Sequence, residues 1–180
     1  MRRHSTYEKV MTILLGMMLI VVLSFFLRAV VSPQMSFEAS VEIAAPAEDV
    51  WPHLVVEDER IKWQVGVRTV VSLMGDDVMV GSRSVMIKKI GAKQWEIEEE
   101  IIDYLEGQTI VMVHSAEHYV EDIVVVIEPN GAGVELSYSS NKVYSGFLDN
   151  VLAPWSAYNE KQALITSLAI LKRQVEASLS

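Results

Sequence analysis

The sequence predicts an α+β protein: a seven-stranded curved antiparallel sheet wrapped on a long C-terminal helix, with one transmembrane helix in front of it. Three observations predict this. Residues 10–27 form an apolar run without a single charge. From residue 36 to residue 143, strand-like stretches follow one another across separators of a few residues, the spacing of antiparallel hairpins. From Phe147 the period changes, and Leu164, Leu168, Leu171, Val175 and Leu179 recur at 4, 3, 4 and 4, a single apolar stripe on a helix.

The N-terminal run holds 18 residues, of which 12 are Leu, Ile, Val or Phe. A helix of that length spans roughly 27 Å, against a hydrocarbon core of ~30 Å. Each of the 12 favours insertion by roughly 0.3–0.6 kcal/mol, a sum of about −4 to −7 kcal/mol before end effects. Arg28 stands at the far end, where a long side chain reaches the headgroups at small cost. Arg2, Arg3 and Lys9 precede the run and only Arg28 follows it, so the positive-inside tendency predicts a cytoplasmic N-terminus and an exported remainder. The run is longer than the roughly 7–15 residues of a signal-peptide core, and no small-x-small site follows. Ala29-Val30-Val31 ends on a branched residue, and a cut after Ser32 would set Pro33 beside the scissile bond. An uncleaved anchor is therefore preferred to a cleaved signal. The expected division is a basic cytoplasmic tail at 1–9, a signal anchor at 10–31, and one extracytoplasmic domain at 35–180.

Four of the 15 Lys and Arg and one of the 24 acidic residues precede residue 35, leaving 11 against 23 in the domain. Such a surface cannot neutralise phosphates, which excludes nucleic acid as a partner. It is also repelled by anionic headgroups, so the tether and not charge holds the domain at a membrane. The lack of cysteine removes disulfides, thiol catalysis and cysteine metal sites.

In chain order, Phe37, Ala39, Val41 and Ile43 alternate with Ser36, Glu38, Ser40 and Glu42, a half-buried strand. Ala45-Pro46-Ala47-Glu48 opens a short helix with its acidic residues in the first turn, and Pro52 should shorten it. A second short helix covers 57–63. Strands follow near 65–73, 81–90, 94–104, 108–114, 119–128 and 134–143. Their separators are turn-like: Met74-Gly75-Asp76-Asp77, Gly91-Ala92, Glu106-Gly107, Ser115-Ala116-Glu117 and Pro129-Asn130-Gly131. Pro154 is placed as the first residue of the long helix, after a separate short turn. A helix laid across a curved sheet buries the apolar face and leaves a hollow between them.

The segment Ser40-Val41-Glu42-Ile43-Ala44-Ala45-Pro46-Ala47-Glu48-Asp49-Val50-Trp51 resembles the strand, proline turn and Val-Trp helix that open SRPBCC domains. This superfamily of helix-grip folds includes START lipid-transfer domains and polyketide cyclase/dehydrase-like proteins. Trp63, the stretch Glu100-Ile101-Ile102-Asp103-Tyr104, and Asn150-Val151-Leu152-Ala153-Pro154 with Leu171-Lys172-Arg173-Gln174-Val175-Glu176 extend the resemblance to about residues 36–178. It implies a helix-grip fold and a hydrophobic ligand. The superfamily spans carriers, receptors and enzymes, so the resemblance does not choose among them.

His114-Ser115-Ala116-Glu117-His118 matches H-x-x-E-H, but zinc chemistry needs that pattern on a helix, and here it falls between strands. It reads as a solvated turn. Glu96, Glu98 and Glu100 share an outer strand face, while Glu99 falls with Trp95, Ile97 and Ile101 on the inner one, with Arg83 as its expected partner. Val85 and Ile87 are placed on the face of Arg83. The candidate cavity set is Trp63, Arg83, Val85, Ile87, Ile97, Glu99, Val111, Ile123 and Tyr138, with Trp155 and Tyr158 at the rim. No catalytic residue, metal ligand or cofactor is assigned. The expected function is a membrane-anchored domain that binds a hydrophobic small molecule or lipid, more a binder than an enzyme. The alternatives are a cyclase- or hydrolase-like enzyme using Glu99, Tyr138 or His114, and a protein-interaction module with a filled cavity.

Overall fold

The computed structural model describes residues 2–31, 34–74 and 78–179. The expected turn at 75–77 and the linker residues 32 and 33 lie outside the described residues, as does the side chain of Arg28. The elements are α1 (Arg2–Val31), β1 (Gln34–Ile43), α2 (Ala47–Val55), α3 (Glu57–Trp63), β2 (Val67–Met74), β3 (Arg83–Ile90), β4 (Lys93–Leu105), β5 (Thr109–Ala116), β6 (Tyr119–Asn130), β7 (Gly133–Tyr144) and α4 (Phe147–Ser178). The strands form one antiparallel sheet in the order β1-β7-β6-β5-β4-β3-β2. From β2 to β7 each strand pairs with the next, as the short separators require. The pair α2–α3 carries the chain from β1, at one edge, to β2, at the other. Register shifts in β2 and between Ile101 and Asp103 of β4 bend the sheet around α4.

Pairing fixes which side chains share the inner face. One row crosses the sheet as Ser84, Glu99, His114, Glu121 and Lys142, each directly opposite the next. Beyond it, away from the N-terminus of β1, the inner face is apolar: Met112, Ile123, Ile110, Val125, Ile127, Leu136 and Val134. Leu168, Leu171 and Val175 of α4 close over this half, and all three are essentially inaccessible. Gly133 serves the same region, because a Cβ there would lie 2.2 Å from the Ile43 carbonyl oxygen. The end of β1 is held to α4 by a hydrogen bond from the Ala44 N–H to Glu176 Oε1 at 2.9 Å.

Three expectations are corrected. In β3 the inner residues are Ser84, Met86 and Lys88, with Met86 opposite Ile97, so Arg83, Val85 and Ile87 take the outer phase. β3 has apolar residues on both faces, and alternation alone does not choose between them. Val111 likewise lies on the outer face between the inner residues Ile110 and Met112, paired with Asp103 across the β4 bulge. Finally, α4 begins at Phe147 and passes through Pro154 without a break. Its first turn is already closed by Asn150 N–H to the Gly146 carbonyl at 3.0 Å, and Ala153 is buried beside the proline. One missing helical hydrogen bond is outweighed by the turns packed on either side.

The segment Tyr7–Ser24 of α1 has a mean hydropathy of 1.8 and none of it is buried, so it is long and apolar enough to cross a membrane. An anchor and a signal sequence both have that character. α1 leans on the start of α4, where the Phe26 and Phe147 rings sit 5.3 Å apart. This marks the end of the sheet where β1 starts and β7 finishes as the α1 end.

Candidate functional site: a charged row under the C-terminal helix

Each strand of the sheet's middle contributes one polar residue to an otherwise apolar inner face, and hairpin register lines these residues up. Glu99 is 3 % exposed. Its two carboxylate oxygens take the two terminal nitrogens of Arg60, from α3, at 2.6 Å each. His114 Nε2 lies 2.7 Å from Glu99 Oε2, and Ser84 Oγ donates to Oε1 at 3.2 Å. Burial pushes the Glu99 carboxyl up, but the Arg60 charge and the hydrogen bonds from His114 and Arg60 hold it well below the usual carboxylate range. Burial likewise opposes the charge of Arg60, and the facing Glu99 more than restores it.

The row continues through Glu121. Its carboxylate accepts from Ser140 Oγ and lies 3.3 Å from Lys142 Nζ, with His114 Nδ1 at 3.9 Å. Burial raises the Glu121 carboxyl and the Lys142 charge more than offsets it, leaving it below its ordinary value. Lys142 also pairs with Glu160 of α4 and stands over the Tyr119 ring, 4.1 Å from its centroid. Tyr144 donates to the other Glu160 oxygen at 3.3 Å. Sheet and helix are thus joined by charge here, where the other half is joined by apolar packing. Burial pushes the Tyr119, Tyr138 and Tyr144 phenols up, so all three stay protonated donors.

Between the row and α4 lies a hollow of about 90 Å³, lined by Trp63, Met86, Lys88, Ile97, His114, Tyr138, Leu164 and Ser167 among others. It holds a few waters or the end of a ligand, not a whole lipid. Toward the α1 end, an open vestibule of about 610 Å³ adjoins it between the β3–β4 and β5–β6 hairpins and the first turns of α4. Lys88, Ile97, Tyr119, Lys142 and Glu160 line both spaces. Lys88 is inward-facing, and burial, followed by the neighbouring Lys142 charge, lowers its pKa. On the far side of the row a recess of about 360 Å³ is bounded by Leu54, Val56, Arg60, Val78, Glu99 and Ile110. Arg60 and Glu99 line this recess, and His114, bonded to Glu99, lines the hollow, so the chain Arg60–Glu99–His114 is a partition between the two spaces.

The expected site residues are only partly brought together. Trp63, Ile97 and Tyr138 line the hollow, and Trp63 donates its indole N–H to the His53 carbonyl at 2.7 Å. Glu99 faces the recess. Ile123 is sealed in the solid apolar half. Arg83 pairs with Glu100 on the outside at 2.8 Å, and Arg60 takes the role expected of it. Trp155 and Tyr158 are 59 % and 67 % exposed and lie outside the hollow, because α4 turns Ser156, Glu160 and Leu164 inward instead. His114 is not in a solvated turn: it is buried in β5, while Ser115, Glu117 and His118 of the H-x-x-E-H pattern are exposed. Arg60, Glu121, Lys142 and Lys88 were missed. The signal for Glu121 was present, since it is in phase with Ile123, Val125 and Ile127.

Residues 34–176 match the family model described as polyketide cyclase / dehydrase and lipid transport. The chain belongs to this family. No curated protein matches it. Among solved structures, a Thermus thermophilus protein aligns with TM-score 0.69 and 16% identity over 81% of this chain and 100% of its own. A conserved protein from Geobacillus kaustophilus aligns with TM-score 0.65 and 15% identity over 80% and 97%. The Zhui aromatase/cyclase from a Streptomyces species aligns with TM-score 0.65 and 12% identity over 82% and 96%. At these identities the likeness concerns the fold.

Proposed function

We propose that this chain is a single-pass, membrane-tethered binding protein whose domain, residues 35–180, holds a hydrophobic small molecule or lipid. Residues 1–9 stay in the cytoplasm, residues 10–31 anchor, and the domain lies on the opposite side. The observation that supports the reading is a hollow and a vestibule that share Lys88, Ile97, Tyr119, Lys142 and Glu160 as walls: a ligand end fits against Trp63, Ile97 and Tyr138 while its body lies in the vestibule. Burying about 300 Å² of ligand apolar area contributes roughly −7.5 kcal/mol before association costs. Protonated tyrosines and Lys88 supply the few polar contacts that fix orientation.

The direct test is mass spectrometry of small molecules released from detergent-purified full-length protein, followed by thermal shift with the candidate added back. A co-purifying amphiphile that raises Tm by mass action supports the reading. An empty protein that no amphiphile stabilises speaks for the interaction module. For topology, a reporter fused after Ser180 should be extracytoplasmic, and a cytoplasmic reporter would reverse the orientation.

A catalytic reading has one observation in its favour. Glu99 holds His114 Nε2 at 2.7 Å, Nδ1 lies 3.9 Å from Glu121, and the ring borders the hollow, so an imidazole stands at the wall of the ligand space. Loss of turnover in His114→Gln with ligand affinity unchanged would move the function there.

A further inference from the structure

The first three turns of α4 are unlike the rest of the domain surface. Residues 147–158 carry one charge, Asp149, while 11 basic and 22 acidic residues crowd the remainder of the domain. Leu148, Leu152 and Trp155 fall at i, i+4 and i+7, on one helical face, and are 72 %, 55 % and 59 % exposed. Phe147 and Tyr158 flank them, also exposed. An aliphatic stripe ending in Trp and Tyr has the composition of a membrane–water interface.

Its position says what covers it. Phe147 packs on Phe26, one residue before the end of the charge-free apolar run 10–27, hence at the edge of the hydrocarbon that this run would span. The bilayer that holds α1 is therefore within reach of the stripe. Leu152 belongs both to the stripe and to the vestibule wall, so the same face borders the opening.

We infer that the face Leu148-Leu152-Trp155 docks into the interface of the bilayer that α1 crosses, and that the vestibule opens onto this lipid surface. The ligand then enters from the membrane without crossing water, which makes it a membrane-dissolved amphiphile. This inference rests on the reading of α1 as an anchor.

The test uses full-length protein reconstituted into phosphatidylcholine vesicles with brominated acyl chains, reading tryptophan emission. Of the four tryptophans, Trp51 and Trp63 are buried and Trp95 is half-buried in the vestibule wall, so Trp155, 59 % exposed on the stripe itself, is the indole placed to meet acyl chains. Bromolipid should quench the emission of the unaltered protein, and Trp155→Phe should abolish most of that quenching. The pair Leu148→Asn/Leu152→Asn, on exposed positions that folding does not need, should reduce the quenching while α1 stays inserted. Quenching that is absent, or unchanged in Trp155→Phe, in protein resistant to extraction at high salt would overturn the docking and leave the anchor standing. Protein that fails to remain with vesicles would overturn both. The chain has no cysteine, so Leu148→Cys reports a second copy on this face: efficient disulfide dimers in the vesicles, with no quenching, would assign the stripe to self-association and overturn the inference.

Discussion

The two halves of the interior are built by opposite rules. Away from α1, Ile110, Val125, Ile127 and Leu136 meet Leu168, Leu171 and Val175, and the space is full. Toward α1, His114, Glu121 and Lys142 meet Glu160, Ser167 and Leu164, and a hollow remains. Apolar side chains fill volume without orientation, whereas a charged group must keep each partner at a set distance and cannot collapse onto a void. The difference teaches where stability and the proposed binding reside: the full half fixes the fold, and the charged half keeps a space open at a cost the full half offsets.

That contrast can be broken most strongly at the partition. Glu99→Ala leaves the Arg60 guanidinium buried without a counter-ion and should cost about 3–5 kcal/mol, measured by chemical denaturation. Replacing both partners, Arg60→Met with Glu99→Leu, should recover most of that loss. If the single and double variants are equally unstable, the pair is not the partition described here. In the full half, Leu171→Ala should cost about 2–5 kcal/mol through the cavity it leaves.

Added volume sharpens the comparison. Leu168→Phe should cost about 1–3 kcal/mol, since a packed core has no room. Ala163→Leu points into the hollow and should leave stability within about 0.5 kcal/mol while weakening ligand binding. Equal destabilisation by the two would mean that the hollow is not available space.

Acid should act on the charged half. Glu99 and Glu121 have folded pKa values below their unfolded value near 4.5, so the stability they contribute is complete above that pH and is lost as pH falls toward the folded values. The unfolding midpoint should be flat near neutrality and fall below about pH 4.5, and Glu121→Gln should flatten part of that fall. The smallest effect is expected at Lys88. Its folded pKa is lowered, so the unfolded chain binds more protons and the lysine opposes folding throughout the neutral range. Lys88→Met should therefore raise Tm by a few degrees at most, where ~1 kcal/mol corresponds to about 2–4 °C for a domain of this size. A lower Tm would show that the amine has a partner in the folded state.

The full half was legible in the sequence and the charged half largely was not. Period-2 alternation in β1, β4 and β6 and the stripe on α4 follow from burial of one face, which composition reports directly. β3 and β5 have apolar residues on both faces, so the phase of Val85, Ile87 and Val111 is set only by pairing with β4. Glu99 stood out because its own strand is regular. Its partner did not, because Arg60 comes from α3, and no local pattern links a helical arginine to a strand 39 residues later. His114 looked like part of a turn because the hairpin is tighter than its small polar residues suggest.

α4 is 32 residues long and unbroken, a rod of about 48 Å. Its distal third is pinned where Leu168, Leu171 and Val175 are fully enclosed, and its first turns stand beside α1. Such a rod is a lever with its fulcrum far from its free arm. From Leu171 to Phe147 the arm measures roughly 36 Å, so a tilt of about 5° moves the tip by about 3 Å. Pivoting that is slight at the packed end becomes, at the vestibule, an aperture change on the scale of an acyl chain's width.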